Sequence, residues 1–376
     1  MVDLRRSVGG RGKKSSPPIF SHEFIIQNHG DIMSCVVMLI VMGLFFQITT
    51  PLATIFIVPQ YNETIENTVS GLPQSFFGVG SKDLFAILFY AVGWIVIHAI
   101  LQEHIFDKLQ RKLHMSKSKM SKFAESGQLA FFAIYSVIHS GNLFLGRYIL
   151  HDLLLYTDIT KLWVGYPETH RLLTLHTKLF FIFQIAYWIH QFPEYYFQKV
   201  RKEDMRSRTT YSIIFLLFIT VGYFLNFNRL TMTLLFLEYI SQAIFHTTRL
   251  FYFAEKWNIA RTGFKIWNVV FMIVRLASAV ITVLTLWYGH RTIEVPYIDI
   301  ASGNYNTAFI RLNSMLCILA LQLFMLFNFV KFHLRRIRER RSRQRVEKQP
   351  RLQPKKKKPI TDEVRIKVVS FILYRG

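Results

Sequence analysis

Residues 84–101 read LFAILFYAVGWIVIHAIL, eighteen consecutive positions without an acidic residue, a lysine or an arginine. At 1.5 Å per residue such a helix covers about 27 Å, close to the hydrocarbon thickness of a bilayer. A half-buried strand would alternate polar and apolar residues, and a surface helix would keep one polar face. Here Leu, Phe, Ile, Ala and Val fill every face, and His98 is the one ionisable interruption. In lipid, a segment of this kind satisfies its backbone only as a helix.

Seven further apolar runs flank it: 32–58 (with Pro51 as a kink or an early exit), 127–146, 172–192, 209–227, 230–254, 266–289 and 308–330. Together they predict an all-α integral membrane protein, a polytopic helical bundle of about eight transmembrane helices, six to eight in all. No stretch is left for a soluble globular domain. The lower bound reflects 127–146, which contains His139, Ser140 and Asn142. Alternating strand patterns are absent. Cys35 and Cys317 both lie inside apolar runs, which excludes a disulfide-stapled secreted domain.

The chain is 51% hydrophobic and 15% aromatic, yet 46 Lys and Arg face 23 Asp and Glu, a net charge of +23. Eight spans place the N-tail, the loops 102–126, 194–208 and 255–265, and the C-tail on one side. Those segments hold 36 of the 46 basic residues, and the opposite side holds six. By the positive-inside rule both termini are cytosolic. Asn62-Glu63-Thr64 is a glycosylation sequon, and this topology puts Asn62 in the first lumenal loop. Residues 1–31 are polar and the first run is long enough to span, so an uncleaved anchor is expected.

The tail from Lys331 carries a net +13. It includes Arg335, Arg336 and Arg338, then Lys355, Lys356, Lys357 and Lys358. Such a segment is drawn to anionic headgroups or to the phosphates of ribosomal RNA, without reading a nucleic-acid sequence. The strand-like residues 364–373 suggest no function.

Soluble-enzyme motifs fail on inspection. Residues 9–15 lack the glycine spacing of a P-loop, and neither Cys-x-x-Cys nor His-Glu-x-x-His occurs. What remains are ionisable residues within the spans, where each is costly. Lys178 and Arg311 lie near lumenal ends and are expected to snorkel. His98, His190, His246 and Arg249 fall near the cytosolic ends of three spans and form a candidate polar crevice. Glu238 and Arg275, each about 12–14 Å deep, are the deep residues of opposite charge and form a candidate intramembrane ion pair.

Several local sequences carry a resemblance: residues 21–35 (SHEFIIQNHGDIMSC), 98–129, 184–204 (QIAYWIHQFPEYYFQKVRKED), 246–255 (HTTRLFYFAE), 302–307 and 329–339. They resemble the translocating chain-associated membrane (TRAM) proteins over about residues 15–340. The resemblance implies a multispanning protein of the endoplasmic reticulum beside the Sec translocon, contacting signal sequences and transmembrane segments of nascent chains. It divides the chain into an N-tail (1–31), a TRAM-type region with two spans and a lumenal loop (32–116), a TRAM–Lag–CLN (TLC) domain with about six spans (117–332) and a basic tail (333–376).

The TLC domain is shared with ceramide synthases, which carry a His-His pair early in the span corresponding to 209–227. Here that position reads Thr210-Tyr211-Ser212-Ile213. No imidazole pair is present there to act as general base, so acyl transfer is disfavoured. The expected function is non-enzymatic assistance to translocation and membrane insertion, with no cofactor or metal. Its expected partners are the translocon, nascent chains, the ribosome and membrane lipid. The rival readings are a lipid-handling N-acyltransferase and a small-molecule transporter. The latter would show internal symmetry that the sequence lacks.

Overall fold

The computed structural model describes Pro18 and residues 21–66, 73–145 and 158–348. Lys355, Lys356, Lys357, Lys358 and the 364–373 segment lie outside the described residues. In chain order the helices are α1 (His22–Gln27), α2 (His29–Met42), α3 (Thr50–Ile57), α4 (Asp83–Leu101), α5 (Asp107–Lys112) and α6 (Lys117–Leu145). They continue with α7 (Glu168–Arg171), α8 (Leu175–Phe197), α9 (Lys202–Phe224), α10 (Asn228–Phe253), α11 (Trp257–Val283) and α12 (Ala308–Lys348). The fold is helical, with one departure. β1 (Asn62–Glu66) and β2 (Pro73–Phe77) pair antiparallel, Asn62 opposite Phe77, between the first two apolar runs. Five-residue strands inside a polar loop are too short to register as an alternating pattern.

The first apolar run is not one straight helix. α2 tightens into a 3₁₀ turn at Gly43–Phe45, and Phe46 is extended. The hydroxyls of Thr49 and Thr50 then donate to the carbonyls of Gly43 and Phe46, at 2.8 and 2.7 Å. Pro51 does not make this break. It sits in the first turn of α3, where a missing N–H costs nothing. Gly43 packs on Ala53, so the chain folds back on itself within the run.

Four helical stretches among the described residues are long and apolar enough to cross a membrane: Asp83–Lys112, Lys202–Phe224, Trp257–Ile293 and Ala308–Ser342. They contain α4, α9, α11 and α12. α6, α8 and α10 match them in length but not in apolarity, because α8 alone carries Lys178, Gln184, His190, Gln191 and Glu194. Those residues are buried. A helix surrounded by protein can be polar where its neighbours supply partners, whereas a lipid-facing helix cannot. α6, α8 and α10 are therefore the interior of the bundle, and the four apolar stretches its periphery.

Trp94 (α4), Phe132 (α6), Tyr187 and Trp188 (α8), Phe215 (α9) and Tyr239 (α10) pack edge-to-face or stacked in one aromatic core. A hydrogen-bonded chain threads it. Trp188 Nε1 donates to Tyr239 Oη (3.2 Å), Tyr239 to Gln184 Oε1 (2.6 Å), and Gln184 Nε2 to Ser136 Oγ (2.8 Å). Each link satisfies a buried polar group, as a core of this kind requires. Gly263 lets α11 approach α10, since a Cβ there would meet Thr248 Oγ1 at 2.5 Å.

The loops gather at two ends. At one, Lys178 reaches the carbonyls of Gln60 and Gly78, Asn228 that of His170, and Asn226 that of Gly303. At the other, His22 meets Tyr196, His29 stacks on Phe197, Arg208 pairs with Glu125 (2.6 Å), and Lys119 with Glu255 (2.6 Å).

Candidate functional site

The polar side chains of the bundle fall into three groups at different heights. The middle group centres on Glu238 of α10 and Arg275 of α11, which the structure brings into direct contact. Arg275 also donates to Gln322 Oε1 at 2.9 Å and approaches Met325 Sδ at 3.0 Å, both on α12, and lies over the ring of Phe271. On the other flank Gln242 Nε2 donates to Glu238 Oε1 (2.9 Å) and to Tyr211 Oη of α9 (2.6 Å). One polar rung thus runs Tyr211–Gln242–Glu238–Arg275–Gln322 across four helices. The Arg275 side chain is 4% exposed and that of Glu238 14%, so the rung reaches the bundle's edge.

A second group joins α4 to the last turns of α8. His98 Nδ1 lies 3.4 Å from His190 Nε2, and His98 Nε2 is 3.6 Å from Glu194 Oε1. Gln198 Nε2 bridges His98 Nε2 and Glu194 Oε1, each at 3.0 Å. His246 and Arg249 sit one turn apart on α10, with Arg249 over the rings of Phe245 and Phe253. All four proposed crevice residues are buried, so they do not line an opening to the cytosol. Trp94 and Tyr187 pack against His190 and close it off.

The third group was not legible in the sequence. Asp83 and Lys178 form an ion pair at 2.7 Å with both side chains fully enclosed. Tyr223 Oη donates to Asp83 Oδ2 (2.8 Å), as does the Gly80 amide (3.1 Å). Lys178 therefore does not snorkel: Asp83 and two loop carbonyls replace its water. Arg311 is buried as well, donating to Leu286 O at 2.9 Å and pairing with Glu294. Asp83 stands one residue before the apolar run 84–101, where depth within a span does not single it out.

Asn62 is exposed on β1. Arg335, Arg336 and Arg338 are exposed on α12. No cluster of three or more His, Cys, Asp or Glu side chains suited to a metal ion occurs among the described residues. His170, outside the spans, is buried in an aromatic cluster with Tyr166 and His290. Burial, reinforced by Arg229 and His290, holds its pKa well below the ordinary imidazole value. Glu255 is held below the usual carboxylate range by its hydrogen bond from Lys119.

The Thr210-Tyr211 position offers a phenol that accepts a hydrogen bond from Gln242 rather than an imidazole. The TLC domain family model matches residues 122–331. Over 346 residues, 91% of this chain and 90% of the relative, the sequence is 40% identical to translocating chain-associated membrane protein 2 of Homo sapiens. The Mus musculus protein of that name is 40% identical over 329 residues, 88% of this chain and 86% of the relative. A shorter match, 29% identical over 141 residues, covers 38% of this chain and 31% of the sphingosine N-acyltransferase-like protein ALT7 of Alternaria alternata. Similar along nine-tenths of its length to proteins of that name and matched through its core by the TLC model, this multispanning membrane protein belongs to the translocating chain-associated membrane protein family.

Proposed function

We propose that the protein assists co-translational translocation and membrane insertion of nascent secretory and membrane proteins at the endoplasmic reticulum, beside the Sec translocon. The observation that carries this reading is the 40% identity over nine-tenths of both chains to proteins named for association with translocating chains. The polar rung supplies its physics. A mid-helix Asp, Lys or Arg costs a nascent segment about 2.5–3.5 kcal/mol on insertion scales. At that depth the half-buried Gln322 of α12, backed by the Glu238–Arg275 pair, offers such a segment a hydrogen-bonding partner that lipid lacks. The protein does this without catalysis.

An eight-span topology with cytosolic termini and a lumenal Asn62 fits the two gatherings of loops. The contacts named above at one end join lumen-assigned loops to one another or to the lumenal ends of spans, and those at the other end join cytosol-assigned segments. Enzymatic removal of an N-linked glycan from the full-length protein, lost in Asn62→Gln, tests that side assignment.

The match to a sphingosine N-acyltransferase-like protein favours a second reading, lipid N-acylation. It lacks an imidazole beside Glu238. Purified protein incubated with acyl-CoA and a sphingoid base decides between them: turnover that disappears in His190→Ala or Glu238→Ala supports the enzyme. Reconstituted membranes lacking the protein should insert moderately polar signal segments poorly and strongly apolar ones normally. Equal insertion across a client panel contradicts the proposal.

A further inference from the structure

α12 does not stop where the apolar run ends. It continues unbroken from Val330 to Lys348, about 26 Å beyond Lys331 at 1.5 Å per residue. Continuing straight from a span, that reach exceeds the roughly 5–8 Å depth of one polar headgroup layer. The first dozen residues of this extension carry Lys331, Arg335, Arg336, Arg338, Arg340 and Arg341, all exposed. At 100° per residue from Lys331 these fall at about 0, 40, 140, 340, 180 and 280°, so no sector wider than about 100° is free of positive charge. Glu339 is the one acid among them, and it is tied to Arg335 at 3.1 Å.

A helix that rests on a membrane surface needs a continuous apolar face opposite its basic one. Here Leu334 and Ile337, at about 300 and 240°, are separated by Arg341. Five of the six cations are arginines, whose planar forks match phosphate oxygens two at a time. The guanidinium groups of Arg338, Arg340 and Arg341 make no hydrogen bond or ion pair among the described residues. A rod charged on all sides fits a partner that surrounds it with phosphates, rather than a flat layer that meets one face.

We propose that the helical extension of α12 from Lys331 is a binding element for folded RNA, gripping the phosphodiester backbone of a groove without reading its sequence. This adds a cytosol-side partner to the function proposed above and stands independently of client insertion. The probe is a labelled RNA hairpin, titrated against the full-length protein in neutral phosphatidylcholine nanodiscs at several salt concentrations. The wild-type protein should bind with an affinity that falls steeply with salt.

R338Q/R340Q/R341Q should weaken binding by tenfold or more at low salt and lower the slope of log affinity against log salt by about three. R338K/R340K/R341K should keep the slope and lose part of the affinity. The same glutamine triple made after removal of residues 349–376 should show the same decrement, which isolates the helix from the segment beyond it. Unchanged RNA affinity in the triple overturns the proposal. So does an RNA signal abolished by phosphatidylserine in the disc, which would make the helix a lipid-surface element. Unaltered client insertion in the triple leaves the RNA assignment standing, whereas equal insertion of a client panel with and without the wild-type protein overturns the insertion reading and leaves RNA binding untouched.

Discussion

Two buried ion pairs of this molecule obey different rules. Asp83–Lys178 is sealed: both side chains are inaccessible, and the pair is completed by Tyr223, by the Gly80 amide and by two loop carbonyls. It joins α4, and the residues flanking the β-hairpin, to α8 at the lumen-assigned end. Glu238–Arg275 is instead closed on one side by α12, whose apolar stretch is almost entirely unburied by the rest of the bundle. The first pair has nothing left to exchange. The second is less enclosed: the Glu238 side chain keeps 14% exposure, and Gln322 of α12 continues the polar rung beyond Arg275.

The sealed pair should respond most. Lys178→Met leaves the Asp83 carboxylate enclosed without its cation, and breaking such a pair costs about 3–5 kcal/mol. Thermal unfolding in nanodiscs should show this loss, with Asp83→Asn/Lys178→Met recovering much of it. If the double variant is as unstable as the single, the pair is not the unit described here. Arg275→Met should cost less, about 1–3 kcal/mol, because Glu238 lies at the edge and keeps Gln242. Its larger effect should fall on insertion of moderately polar clients.

Acidification should act at the lumen-assigned end. His170 titrates normally when unfolded but far lower when folded. As pH falls below about 6.5 the unfolded state takes up a proton that the folded state refuses, so stability is lost toward acid. An unfolding midpoint that falls between pH 7.5 and 5, and falls less in His170→Gln, is the expected result. The smallest effect belongs to Lys119→Gln, whose exposed pair with Glu255 should change stability by about 0.5 kcal/mol or less.

The same contrast explains what could be read in advance. α4, α9, α11 and α12 announce themselves because lipid demands apolarity of them, and equal depth on neighbouring runs made Glu238 and Arg275 candidates for contact. Asp83 was hidden because it pairs with a residue 95 positions away across a loop. The 43–49 break was hidden for a related reason. Thr49 and Thr50 cap their own backbone within an otherwise apolar run, and composition averages such residues away. His98 and His190 were legible as a pair of depths, but not as a closed cluster, since the rings that cover His190 come partly from another helix.

The polar rung's proposed role is to give nascent segments a place to pause. Photoreactive residues placed singly at Gln322 and at Leu276, the latter 69% exposed on α11 one residue from Arg275, compare rung and plain lipid face at similar depth. During insertion of a client with one mid-helix charge, crosslinks should form from position 322, strengthen with client polarity, and stay weak from 276. Equal crosslinking from both positions, or none from 322, would contradict the account.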